Sequence, residues 1–534
     1  LITRRCCRTT FPLRSKVAAE RGVIQKEKHV LRSQEVLRLV NLVKDSFRIR
    51  PNHKPDYVDV SGHLDRFRSN QHQIVFGRRG SGKSCLFVHF LNDKDANNGI
   101  LPIYIEGDEF KRLTYPDLLV RLLLRIFENM PSADQSWRRW LRSPNPVQRN
   151  IDDLRKILSQ AEEAQVRQTD GRNSEGGAAL EKGPAKFHGK NSDGHEKQSE
   201  FKAKKLDQLE RYLSDYKKTL SRALDESRYD SAFILLDDFY LIPRSRQPDV
   251  IDYLHRLFRG TNFYLKVGTV RHRTSIIRND EQTIGVELHQ DVEEINLDRT
   301  LEDLEATSEY LAQMLGALSY TAGVNNPKEA LFNPDAFHSL VIASGGVPRD
   351  FLNIFVEAIA AANADDQDRW LTPTYIWKGA SRLSYRTKLT NLKEEASSDS
   401  SPLEKVYQDI ISFCLKEKRK TAFLVSQDQA QKLFSVHELI LQLMDFKLIH
   451  VVEPDTSAAS GRKGRFEAYT LDFSLFMEPR MRNIEHVEFW KVDAERRRVG
   501  IREAPDYDLA RAKEAIDNDL QPDGIENTLR EANY

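Results

Sequence analysis

Apolar positions recur at helical spacing over residues 34–48, QEVLRLVNLVKDSFR, and predict an amphipathic helix. A Pro-containing stretch, RPNHKPDYVDVSGHLDRFRSN, separates it from HQIVFG (72–77), a short apolar run ending in glycine that reads as a buried strand. GKSCLFVHFLND (82–93) reads as helix and ILPIYIEGD (100–108) as a second strand. Pro116 opens the helix PDLLVRLLLRIFENM, since proline suits the first helical position. The most apolar strand is SAFILLDDFYLI (231–242), followed by a helix over 248–259 and strands NFYLKVGTVR (262–271) and VEEINL (292–297). Strands alternating with helices predict a parallel α/β sheet.

The same patterning divides the chain. Residues 1–50 are a basic, loosely held tail plus the first helix, and 51–300 are the α/β core. The core carries a helical insertion over 147–226. The middle of the insertion, QTDGRNSEGGAALEKGPAKFHGKNSDGHEKQSE, holds too little apolar surface to offset chain entropy, so disorder is expected there. Residues 301–395 read as all-helical. Residues 402–480 read as helix, helix, then the strand-like runs KLIHVVE and RFEAYTLD, and 481–534 as a charged tail.

With 534 residues, two to four domains are expected. The 81 Lys+Arg and 80 Asp+Glu nearly cancel to +1, so any nucleic-acid surface must be local. No run of about 18 apolar residues occurs, so no membrane partner is expected. Cys6, Cys7, Cys85 and Cys414 form no CxxC pair, which argues against a cysteine zinc site and makes a reducing, cytoplasmic setting the default.

Between strand 72–77 and helix 82–93 lies Gly77-Arg78-Arg79-Gly80-Ser81-Gly82-Lys83-Ser84, with Cys85 next, and it fits G-x-x-x-x-G-K-[ST]. The glycines let backbone N–H groups reach phosphate oxygens, Lys83 meets the β- and γ-phosphates, and Ser84 meets Mg²⁺. ATP and Mg²⁺ are the expected ligands. FILLDD ends an apolar strand in two carboxylates: Asp237 suits the metal, and Asp238 suits the attacking water as general base. Thr269 and Arg271 end the next strand, at the sheet edge where ligands sit, with Arg273 and Arg278 just beyond as arginine-finger candidates. Ser344-Gly345-Gly346-Val347-Pro348-Arg349 is a turn before a helix, from which Arg349 can swing toward the γ-phosphate.

These four motifs, in this order, resemble those of the AAA+ ATPases of the origin-recognition (ORC) initiator type, close to the STAND signalling ATPases. GRRGSGKS resembles Walker A, FILLDD Walker B, GTVRHR sensor 1, and GGVPR the lid motif. The resemblance covers about residues 50–380 and implies a nucleotide cleft between a parallel sheet and a helical lid over 301–395, then a winged-helix-like module over 402–480. Two departures stand out: Asp238 where the family usually has Glu, which points to slow hydrolysis, and the insertion. In the C-terminal module, Ser435 and Glu438 form a capping box, and Arg462, Lys463 and Arg465 lie in the wing. The helix after the box is acidic and apolar, unlike a DNA reader. Two functions follow: an ATPase switch that couples nucleotide state to DNA or a partner protein, or a STAND-like signalling or defence ATPase acting through self-association or a protein effector, without direct DNA binding.

Overall fold

The computed structural model describes residues 31–52, 55, 57–59, 61–94, 97–131, 145–159, 192–366, 369–383, 385–395, 400–459, 463–475, 483–494 and 498–517. The basic start of the chain with Cys6 and Cys7, the middle of the insertion, Arg462 and the last residues lie outside these. The fold is α/β. Strands β1 (Gln73–Phe76), β2 (Ile100–Glu106), β3 (Ser231–Asp237) and β4 (Phe263–Thr269) are those read from the sequence. A hairpin of β5 (Ile277–Asn279) and β6 (Thr283–Gly285) was not read, and β7 (Glu293–Asn296) was. The main sheet runs β2-β3-β4-β1-β7 with every pair parallel, so all strands end at one edge.

β3 is buried throughout, and its two faces feed two cores, as the period of two along a strand requires. Ala232, Ile234 and Leu236 join Ile103, Leu123 and Val267 on one side. Phe233 and Leu235 join Val75, Phe87, Phe90 and Ile295 on the other. The insertion packs on the first side through Ile151, Leu154, Leu209, Tyr216, Leu220 and Leu224, on helices 146–159 and Ser192–Asp225. Disorder was expected to residue 200, but the backbone of 192–200 continues the second helix. Propagating a helix through such a stretch costs little once a buried stripe further along has fixed it.

A third core joins the N-terminal helix Gln34–Ser46, the helices between Leu304 and Glu395, and the C-terminal module into one apolar body. In that module, helices Gln427–Lys432 and Phe434–Asp445 lie with a sheet of order β8-β10-β9, made of β8 (Ala422–Ser426), β9 (Ile449–Thr456) and β10 (Phe466–Leu471). This is the winged-helix-like shape with a strand, β8, that sequence reading missed. Residues read as a charged tail are also part of this core, where Val487, Phe489, Ile501, Tyr507 and Leu509 are buried. Their apolar anchors are spaced too widely among charges to show a period. Ser435 is not the helix cap: the helix starts at Phe434, and Glu438 instead pairs with Arg244 of the core. Among the described residues, no helix is long and apolar enough to cross a membrane.

Phe233 stacks on Phe90 at 5.5 Å and lies 4.4 Å beneath the buried Lys266 ammonium. Phe233→Ala should cost about 3–5 kcal/mol, read as a lower urea midpoint at unchanged slope.

Candidate nucleotide site

The C-terminal edge of the parallel sheet gathers Gly77 after β1, Asp237 at the end of β3, Thr269 at the end of β4 and Asp298 after β7. The loop between β1 and helix Lys83–Asn92 turns through left-handed backbone at Gly80 (φ +92°) and Gly82 (φ +104°), which side chains rarely adopt. A Cβ at Gly80 would also lie 2.8 Å from Cβ of Arg349, so the turn Gly345–Pro348 and its helix sit directly on the loop. The Arg349 N–H donates to Gly80 O at 3.3 Å.

Lys83 is buried (5% exposed), and its ammonium donates to the loop's own carbonyls, Gly77 O at 2.6 Å and Arg78 O at 3.2 Å. Burial lowers its pKa, opposed by Asp237 and Asp238. Ser81 Oγ is buried without a hydrogen-bond partner inside the same loop. Asp237 is 2% exposed; burial raises its pKa, opposed by hydrogen bonds from Ser84, the Asp238 N–H and Tyr104, and by the charge of Lys83. Asp238 follows in left-handed backbone (φ 50°), which aspartate tolerates better than most residues. Its carboxyl is pushed up to about 6 by burial and by Asp237, with Lys83, Arg79 and Arg349 pulling the other way. Loop, carboxylates and Arg349 therefore meet in one place. Thr269 lies at the edge beside them, its Oγ1 2.6 Å from Oγ1 of Thr274, and Thr269 O accepts from the Gly77 N–H at 3.1 Å. Cys85 and Pro348 flank this cluster, on the first turns of the loop helix and of the Arg349 helix.

The other arginines point elsewhere. Arg271 pairs with Glu294 on β7 and lies 4.2 Å over the Phe76 ring. Arg273 stacks on Tyr240 and Phe446, and Arg278 binds Asp249 and Asp280. Arg78, read as a phosphate contact, turns its guanidinium away from the loop's concave side. It donates to Arg299 O (2.5 Å), Gly345 O (3.2 Å) and Asp298 Oδ1 (3.4 Å), while its backbone N–H donates to the same Asp298 oxygen at 2.7 Å. Its remaining neighbour is His450 Nδ1 on β9, at 3.5 Å. Arginine only donates, so Nδ1 accepts, and Nε2 carries the proton that goes to Asp472 at 2.8 Å. The His450 ring lies against Gly345, where a Cβ would come within 2.0 Å of it. A cavity of about 260 Å³ opens beside this junction, lined in part by Arg78, Arg271, His272, Asp298, Asp445 and His450.

Sequence reading missed Tyr104, Asp298, His450 and Asp445, because each meets the loop or its neighbours only across the tertiary fold. It also missed Tyr57 and Tyr310, two half-buried phenols near Cys85 that burial makes harder to ionise. A faint signal existed for Tyr104, a polar-tipped aromatic near the end of an apolar edge strand.

No family model and no curated protein matches the sequence. Solved structures similar to it include the Aeropyrum pernix ORC1 protein in complex with DNA, 12% identical over 81% of this chain and 93% of that one, at a TM-score of 0.33. Cdc6p from Pyrobaculum aerophilum is 12% identical over 92% and 99%, at 0.31. The Walker-type ATPase PABY2304 of Pyrococcus abyssi is 12% identical over 81% and 99%, at 0.40. Likeness this remote identifies no activity.

Asp445 gives a pH signature. Burial, with Asp298 adding, raises its carboxyl from 3.8 to about 7, against the N–H of His272. Between those values the native chain binds a proton that the unfolded chain has released, so this group lowers stability as pH rises from about 4 to 7. Asp445→Asn should remove that slope, raising the unfolding temperature over the parent's fully at pH 8 and by a smaller amount at pH 5, read by calorimetry.

Proposed function

We propose that the chain is an ATP-binding, slowly hydrolysing P-loop switch of the AAA+ kind. The observation that carries this reading is the convergence of Lys83, the unpartnered Ser81 hydroxyl, the Ser84–Asp237 pair and Asp238 around the loop Gly77–Ser84. Without ligand, Lys83 is held by loop carbonyls. Phosphate oxygens offer it better partners, and the loop's N–H groups and the N-terminus of its helix add attraction for an anion. Tyr57 and Tyr310, near Cys85, are suited to border the base.

Ser84 and Asp237 are suited to Mg²⁺. The Ser84 hydroxyl and the Asp237 carboxylate lie within hydrogen-bond reach of each other. That is the sparse oxygen set that Mg²⁺ takes when phosphates and water complete its shell. When bound, the ion would supply charge neutralisation at the β- and γ-phosphates. Asp238, pushed up to about 6, is poised to take a proton from water near neutral pH. Its side chain is a methylene shorter than glutamate, which supports slow turnover. Arg349, whose charge reaches Asp238, would stabilise the γ-phosphate from the lid side. Arg271 serves that purpose only by leaving Glu294.

Arg78 joins the loop to Gly345 and His450, which supports a switch: a change in the loop's conformation strains contacts to the lid and to the C-terminal module together. The signal then goes to DNA or to a partner protein. Packing of helix Phe434–Asp445 against the core, through Glu438–Arg244 and Asp445–His272, favours the protein partner. Steeply salt-dependent DNA binding by the full chain would decide for DNA.

Isothermal titration of ATP–Mg²⁺ tests the core claim: Lys83→Ala should abolish binding while the chain stays folded, and unchanged affinity would falsify the phosphate-loop reading. Asp238→Asn should bind ATP like the parent and cleave it about 10²-fold more slowly in single turnover. Cleavage at the parent rate would place the base elsewhere.

A further inference from the structure

We infer that Tyr104 is a positioning residue for the carboxylate of Asp237, holding it in the orientation that a divalent cation bound with the nucleotide requires. The inference rests on the ATP–Mg²⁺ reading above and goes beyond it by assigning a residue on β2 to the metal's side of the site.

The register of the sheet sets up the contact. β2 and β3 run in parallel with Tyr104 opposite Leu235 and Glu106 opposite Asp237. Residues 104 and 106 point to one face of the sheet, as do 235 and 237. Tyr104 is half-buried against the core on that face, which includes Phe87, Phe233 and Leu235, and its hydroxyl extends to the level of Asp237. The phenol O–H donates to Asp237 Oδ2 at 3.1 Å. The other oxygen, Oδ1, accepts the Asp238 N–H at 2.9 Å and lies over Gly268, where a Cβ would come within 2.8 Å of it. Gly268 thus leaves the space, the backbone fixes one oxygen and Tyr104 fixes the other.

The third donor to Asp237 is Ser84, which is also the residue whose hydroxyl the metal would need. A carboxylate held only by Ser84 and one N–H is free to turn toward the serine and keep it paired. Held at both oxygens by Tyr104 and Asp238, it stays in place when the serine hydroxyl turns to a cation. Tyr104 does this from a stiff, core-anchored ring, so little freedom is lost on binding. A hydrogen bond to a buried charged group is among the stronger kinds, so its loss has a measurable cost.

Tyr104→Phe keeps the ring and removes only the hydroxyl. ATP binding to the full-length chain is titrated in EDTA and at increasing Mg²⁺, and metal uptake is read independently from the Mn²⁺ electron-spin-resonance signal in the presence of ATP. The expected result is a thermal midpoint near the parent's, ATP affinity in EDTA within about twofold of the parent's, and a rise of about 3–10-fold in the Mg²⁺ or Mn²⁺ concentration for half-saturation. In a double-mutant cycle with Asp237→Asn, the two losses of metal affinity should overlap rather than add. An unchanged metal midpoint overturns the inference. So does an equal loss with and without metal, which marks a structural hydroxyl, and so do additive losses, which mark action apart from Asp237. A parent that binds no ATP in either condition fails at the earlier step and overturns the nucleotide reading itself.

Discussion

Arg78 carries a charge it cannot give up, and the chain buries it. A buried guanidinium needs acceptors on several sides at once, and no single element supplies them. Here they come from the segment after β7 (Asp298, Arg299 O), from the turn before the Arg349 helix (Gly345 O) and from the C-terminal sheet (His450). Satisfying one side chain of the phosphate loop therefore fixes the relative placement of core, helical region and C-terminal module. The demand propagates. His450 must be neutral with its proton on Nε2, which commits Asp472 as its acceptor. Burial pushes the Asp472 carboxyl up, but Lys388 and His450 more than offset it and hold it well below the usual range. Lys447 and Asp350 close a second buried pair, at 2.9 Å, between the same two regions.

The loop's other face is arranged by sterics more than by charge. Gly107 and Gly268 stand where a side chain would strike the backbone at Asp237–Asp238 or the Asp237 carboxylate. Two glycines on either side of β3, one just after β2 and one on β4, thus let a pair of carboxylates sit at the sheet edge. Asp238, in left-handed backbone, is swung out of the strand's alternation, which separates it from Asp237 although the two are adjacent in sequence. One carboxylate stays in the wall and the other faces the loop's cations. Burial raises both, the charge of Asp237 raises Asp238 further, and Lys83 tempers both.

The core strands were legible because burial on both faces writes a continuous apolar run, and the turn Gly77–Ser84 between strand and helix because its glycines stand in a fixed local spacing. What stayed hidden was of two kinds. Strands β5 and β6 have three residues each, too few to establish a period, and the short apolar run of β8 cannot be told from a buried helix segment by periodicity. The segment 483–517 hides its anchors among charges. The other kind is the long-range role of a residue: Arg78 and Arg271 look alike in sequence as arginines beside a phosphate site. Only the fold shows that Asp298, Gly345 and His450 claim the first and Glu294 and Phe76 the second. Arg349 lies against the loop because its position is set by the local turn packed on Gly80.

The same long-range contacts constrain what the C-terminal module can do. Helix Phe434–Asp445 packs beside the module's three-stranded sheet, and its charged groups are spent inward. Glu438 holds Arg244, Asp445 caps the N–H of His272, and His437 pairs with Glu467 of its own sheet. In the wing, Arg465 is taken by Asp455. That face of the helix is thus taken by the core, through Arg244 and the residue that follows β4 by three positions. The docked face also adjoins the His450–Gly345 contact, so release of the helix and loosening of Arg78 are steps in the same direction. A partner that binds the released face would draw on the same contacts that hold the phosphate loop in shape, and occupancy of either would be felt at the other.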